Sequence, residues 1–93
     1  MRVRVLRSRR AAAEIEEIAA YLAEYSPSAA QRFLEALVQV QRQLADFPNS
    51  GASGLLSGTR RLIVGNYIVS YRRLGVDVEI FSVRNARRRD ARP

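Results

Sequence analysis

Residues 60–72, Arg60-Arg61-Leu62-Ile63-Val64-Gly65-Asn66-Tyr67-Ile68-Val69-Ser70-Tyr71-Arg72, decide the fold class. The stretch is rich in Val, Ile, Leu and Tyr, which suit a pleated, half-buried surface. Gly65-Asn66 at its centre is a two-residue hairpin signal. The pattern predicts strands over 59–64 and 66–73. In the second, Tyr67, Val69 and Tyr71 share one face and Ile68, Ser70 and Arg72 the other. The Tyr/Val set is the larger continuous apolar one, so that face is assigned to the core. Leu74-Gly75 marks the next turn, and 76 to about 84 is again rich in Val, Ile and Phe. Short links between successive strands make an antiparallel meander.

Upstream, the periodicity changes from two to about 3.6. From 9 to 25 the positions Ala11, Ile15, Ile18, Ala19 and Leu22 recur at helical spacing, with Ser8 placed to cap the helix. Ser26-Pro27 ends this helix and opens another, because Pro suits a first helical position and Ser can cap it. The second runs from 27 to 46 along the stripe Ala30, Phe33, Leu37, Val40 and Leu44. At 1.5 Å per residue the two would be roughly 25 and 30 Å long, a tight antiparallel hairpin. Residues 47–58 read as a surface loop carrying Leu55-Leu56. The opening residues 2–6 read as a short strand with Val3 and Val5 on one face, whose place in the sheet spacing does not decide. The order is β-α-α-β-β-β: an α+β domain with a helical hairpin packed on a small, mostly antiparallel sheet.

The chain has 93 residues, enough for one domain spanning 1–93. The apolar fraction of 47% is that of a globular protein. No apolar run approaches the ~20 residues of a membrane span, and Met1-Arg2-Val3-Arg4-Val5 lacks the long apolar stretch of a signal peptide. Without Cys or His, disulfides, thiolate and imidazole metal sites, Cys nucleophiles and Ser-His-Asp triads are excluded. No cofactor or metal is expected.

The net charge is +7, and all sixteen basic residues are Arg. Arg forks bind carboxylate and phosphate bidentately, so the composition suits an acidic partner. Residues 1–10 carry +5, 11–57 carry −4 and 58–93 carry +6. This predicts two differently charged surfaces. The tail from about 85 to 93 is basic and reads as loose.

This order, with these residues, resembles the RelE/ParE superfamily of bacterial type II toxins, and more closely its ParE branch. Glu14-Ile15-Glu16-Glu17-Ile18-Ala19-Ala20-Tyr21-Leu22 is similar to the family's first helix, and Pro27-Ser28-Ala29-Ala30-Gln31-Arg32-Phe33 to the start of its second. Residues 60–72 are the most specific stretch, and Val78-Glu79-Ile80-Phe81-Ser82-Val83-Arg84 follows in step. The resemblance implies a cytoplasmic toxin neutralised by a small antitoxin encoded beside it. It also implies one of two targets: RelE-like members cut mRNA on the ribosome, whereas ParE-like members poison DNA gyrase. A basic nucleic-acid-binding module without toxicity is a third reading, although no helix-turn-helix, zinc or RNA-binding motif is present.

Metal-free RNA cleavage needs a base for the 2′-OH, cations for the phosphorane and an acid for the leaving oxygen. With His and Lys absent, Glu, Asp or Tyr would have to move the protons. By the resemblance, RelE-like enzymes carry a catalytic Arg where this chain has Ile68, and a Tyr or His after the last strand, where this chain has neither. The ParE pattern commonly shows His-Gly near Asn85-Ala86, so the chain departs there too. Nuclease activity is therefore disfavoured, and no residue is assigned a catalytic role.

The remaining candidates are binding residues. Arg60, Arg61, Arg84, Arg87, Arg88 and Arg89 are candidates for contact with the target. Ile68, Ser70 and Arg72, on the sheet face away from the helices, are candidates for the antitoxin. Arg87-Arg88-Arg89 reads equally as a solvated tail or as a contact to gyrase, the gyrase–DNA complex or an acidic antitoxin segment. Tyr67 and Tyr71 are expected in the core with satisfied hydroxyls. Glu79 is expected to partner a neighbouring Arg, and Glu14, Glu16 and Glu17 to favour the first helix's dipole.

Overall fold

Ser8 and Ser26 set the ends of the helices. In the computed structural model, which describes residues 2–87, the Ser8 hydroxyl accepts the Ala11 N–H at 3.0 Å and opens helix α1, Arg9–Tyr25. Ser26 acts twice. Its N–H donates to the Leu22 carbonyl at 2.8 Å, closing α1, and its hydroxyl accepts the Ala29 N–H at 3.3 Å, opening helix α2, Pro27–Asp46. Such a cap is worth about 1 kcal/mol, and one residue serving both helices leaves no loop between them. Along α2 all five stripe residues are buried, and on α1 Ala11 and Ile15 are buried with Ile18, Ala19 and Leu22 packed against the core.

Around the helices the strands are β1 (Val5–Arg7), β2 (Ala52–Ser53), β3 (Thr59–Val64), β4 (Tyr67–Leu74) and β5 (Asp77–Asn85). They form one sheet in the order β1-β5-β4-β3-β2. The three-strand meander is as expected. Gly65 takes φ 59° while Asn66 stays at negative φ, so only the first central residue of the turn needs the left-handed region that glycine tolerates. Helices and sheet share one core, in which Leu37, Leu44, Val69, Tyr71, Val78, Ile80 and Val83 are at most 1% exposed.

Three features differ from the sequence reading, and the place of the first strand, which it left open, is settled. The first strand is shorter, because the Val3 N–H donates to Ala45 at the end of α2 (2.9 Å) and not to a neighbouring strand. It lies at the sheet edge, paired parallel to β5 with Val5 opposite Val78 and Arg7 opposite Ile80. β2 forms inside the expected loop and pairs with Arg60 and Arg61 of β3. Finally, Asn85 belongs to β5 and Ala86-Arg87 form a turn, with the Ala86 N–H donating to Asn66 at 2.6 Å. The chain is therefore structured beyond the point where a loose tail was expected to begin.

Candidate functional site

Alternation along the strands distributes the candidate residues between two faces. Leu62 and Val64 of β3 and Val69 and Tyr71 of β4 pack into the core. Their neighbours Arg61, Ile63, Ile68, Ser70 and Arg72 therefore lie on the face turned away from the helices. On β5 a bulge sets the phase: Ser70 pairs Ser82 and Tyr71 pairs Ile80, leaving Phe81 unmatched. The extra residue lets Ile80 and Val83, three apart, both point into the core and sends Ser82 outward. Three cross-strand rows result: Arg61–Ser70–Ser82, Ile63–Ile68–Arg84 and Thr59–Arg72–Glu79.

Arg4, Arg72 and Arg84 of this face are held by the chain's own acids. Arg72 donates to Glu79 through Nε (3.1 Å) and a terminal nitrogen (3.0 Å), and its guanidinium stands 5.7 Å over the Phe81 ring. Glu79 thus partners a cross-strand Arg as expected. Arg4 pairs with Asp77 at 2.8 Å, and the hydrogen bond it donates to Asp77, with the carboxylate's charge, raises the Arg4 pKa above its ordinary value. Arg84 pairs with Glu14 of α1 at 3.4 Å. The other Glu14 oxygen accepts the Val83 N–H at 3.0 Å, at a point on the β5 edge that the short β1 does not reach. The dipole expectation for Glu14 is thereby corrected. The first turn of α1 holds no acid, and Glu14 joins α1 to the sheet, whereas Glu16 and Glu17 are exposed. Arg2–Asp46 (2.9 Å) and Arg84–Glu14 also tie the basic ends of the chain to its acidic middle. The surfaces are therefore less segregated in charge than the linear sequence.

Arg60 and Arg61, grouped together by sequence, are separated by the pleat. Arg60 pairs Tyr71 in the ladder and donates to the Gly51 carbonyl at 2.8 Å. The Tyr71 hydroxyl accepts the Gly51 N–H at 2.8 Å. Gly51 is held at both ends, and a Cβ there would stand 2.7 Å from the Arg61 carbonyl oxygen and from the Tyr71 hydroxyl. Arg60 therefore anchors the segment that becomes β2. Arg87 is exposed, its N–H donating to the Asn85 side chain at 2.9 Å. Arg88 and Arg89 lie outside the described residues.

Ile68 and Arg61 are half-buried, Ser70 is buried and Arg72 is exposed. The sheet brings Arg61, Ile68, Ser70, Arg72 and Arg84 onto one surface and leaves Arg60 behind it. Both tyrosines lie on the core side: Tyr71 is 1% exposed, and Tyr67 meets Phe33 with ring centroids 4.9 Å apart. Neither faces Arg61, Arg72 or Arg84 of the open side. No cluster of acids able to hold a metal occurs among the described residues, and no helix among them is long and apolar enough to cross a membrane. Sequence reasoning missed Ile63, 63% exposed beside Arg61. Strict alternation would have found it and would have split Arg60 from Arg61. No local signal marks the Glu14–Val83 bond.

The family described as the ParE toxin of the type II toxin-antitoxin system, parDE, matches residues 5–90. The "Putative toxin Y4kP" of Sinorhizobium fredii (strain NBRC 101917 / NGR234) is 36% identical over 87 residues, spanning 91% of this chain and 90% of that protein. A solved chain of the chromosomal ParDE TA system from P. aeruginosa superposes with a TM-score of 0.74 at 22% identity, covering 89% of this chain and 95% of that one. The last likeness speaks for the fold.

Proposed function

This chain belongs to the ParE toxin family of type II toxin–antitoxin systems, and from that premise we propose that it is a cytoplasmic, non-enzymatic inhibitor of DNA gyrase held inactive by a cognate antitoxin. The observation that carries the non-enzymatic reading is Ile68. At the centre of the open sheet face, where the RelE-like branch places a catalytic Arg, stands an aliphatic side chain between Ile63 and Arg84. An alkyl group cannot stabilise a phosphorane. The acids nearby are already engaged, Glu79 by Arg72 and Glu14 by Arg84 and the Val83 N–H. Proton transfer by either would first have to break those contacts.

The test is plasmid supercoiling by purified gyrase with ATP and antitoxin-free protein. Loss of supercoiling, restored by adding the antitoxin, is the expected result. Full supercoiling at excess folded protein would reject gyrase as the target. Translating ribosomes then become the next substrate, and mRNA cleavage there would return the chain to the nuclease reading.

A further inference from the structure

Three arginines among the described residues are half-buried: Arg60, Arg61 and Arg84. Arg60 donates to the Gly51 carbonyl, and Arg84 pairs with Glu14. Arg61 has no side-chain hydrogen bond or ionic partner among the described residues. A guanidinium without an anion on a half-buried stem keeps its donors available for one. The other arginines of this face do not share that condition, since Arg72 has Glu79 and Arg4 has Asp77. Beside Arg61 stands Ile63, 63% exposed, with Ile68 across the strand. Opposite Arg61 is Ser70, a short side chain 2% exposed. A cation without an anion among the described residues thus adjoins an aliphatic pair.

We infer that this patch seats the antitoxin through a carboxylate that pairs with Arg61, carried on a segment whose neighbouring aliphatic side chain lies on Ile63 and Ile68. The inference rests on the antitoxin reading above. Charge complementarity selects an acid, and the adjoining aliphatic pair selects a polypeptide. A nucleic acid would meet the guanidinium but gain little from Ile63 and Ile68, and the Phe81 ring, the aromatic surface available for stacking a base, already carries Arg72. Arg61 is then a specificity-determining residue for the partner, and Arg72 and Arg84, satisfied within the chain, shape its surroundings.

The experiment measures the affinity of the full chain for the small protein encoded beside it, using wild type, Arg61→Gln, Arg61→Met and a control, Arg32→Gln, at an exposed position of α2. Arg61→Gln and Arg61→Met should each bind about thirtyfold more weakly with an unchanged melting temperature, and Arg32→Gln should bind like wild type. Arg61→Met keeps an unbranched aliphatic stem, so agreement between the two variants separates charge from packing. An Arg61→Glu chain should regain affinity for one antitoxin variant in which a single acid is changed to Arg. Affinity within twofold of wild type for both neutral variants overturns the inference. So does intact antitoxin binding with lost affinity for a short DNA duplex. If the wild-type chain itself fails to bind that protein, the antitoxin reading falls first, a result distinguishable from wild-type binding that ignores Arg61.

Discussion

Val69 and Ser70 are neighbours on β4, 0% and 2% exposed, and they are hidden by different means. Val69 belongs to the apolar cluster with Leu37 and Leu44 from α2, where removal from water stabilises the fold. Ser70 lies on the opposite face, a short side chain between Ile68 and Arg72 of its own strand with Arg61 across from it. Its concealment removes little apolar surface from water. The helix side of the sheet therefore carries the stability, whereas the open side carries guanidiniums of which Arg4, Arg72 and Arg84 are held in place by pairs of small energetic value. Substitutions on the two faces should separate accordingly.

The largest effect belongs to the helix side. Leu37→Ala removes a side chain that is 1% exposed at the centre of the core. It should lower the unfolding free energy by about 2–5 kcal/mol, the range for large-to-small changes in a packed interior. Urea denaturation would show a lower midpoint at unchanged slope. A loss under 1 kcal/mol would mean that the helices are not the principal source of stability.

Next comes the seam between the faces. Tyr71→Phe keeps the ring but leaves the buried Gly51 N–H without its acceptor, at a cost of about 1–3 kcal/mol. The loss should concentrate at β2, visible as faster amide exchange at Gly51 and Gly54, since the Gly54 N–H donates to Thr59 across that hairpin at 2.9 Å. Uniform acceleration across the sheet would show that Tyr71 acts through core packing alone.

The same division explains what could be read from residues alone. The helices, the meander and the core face of β4 are written in local periodicity and in single caps, Ser8 and Ser26, so their bounds could be read within a residue or two. β2 consists of Ala52-Ser53, which carry no strand preference; it exists because Arg60 and Tyr71 grip Gly51. The edge position of β1 depends on pairing residues 5–7 with 78–80, a separation that no window covers. The bulge at Phe81 is hidden because three apolar residues, Ile80, Phe81 and Val83, crowd the place where the phase slips. The face turned away from the helices was legible as Ile68, Ser70 and Arg72, but which of its arginines already had partners depended on contacts far apart in the chain.

Glu14 tests one such contact. Glu14→Ala leaves the Val83 N–H unpaired and releases Arg84, and should cost about 1 kcal/mol. Glu14→Gln retains an oxygen for the N–H and loses only the charge, so it should lie much nearer to wild type in thermal unfolding. Equal losses in the two variants would place the effect in the ion pairs with Arg10 and Arg84 and not in the edge hydrogen bond.

The smallest effect belongs to Arg72–Glu79, and its smallness bears on the whole comparison. The pair is cross-strand and bonded twice, but the Arg72 side chain is 52% exposed. Solvent screening limits such pairs to about 0.2–1 kcal/mol. A double-mutant cycle of Arg72→Ala and Glu79→Ala by thermal unfolding should return a coupling in that range that weakens as salt rises. A salt-independent coupling of core magnitude would break the distinction between the faces, because the open side would then stabilise the fold as well as display its charges. Within the expected range, Arg72 is inexpensive to alter, and any larger loss of partner binding on its removal would measure recognition and not folding.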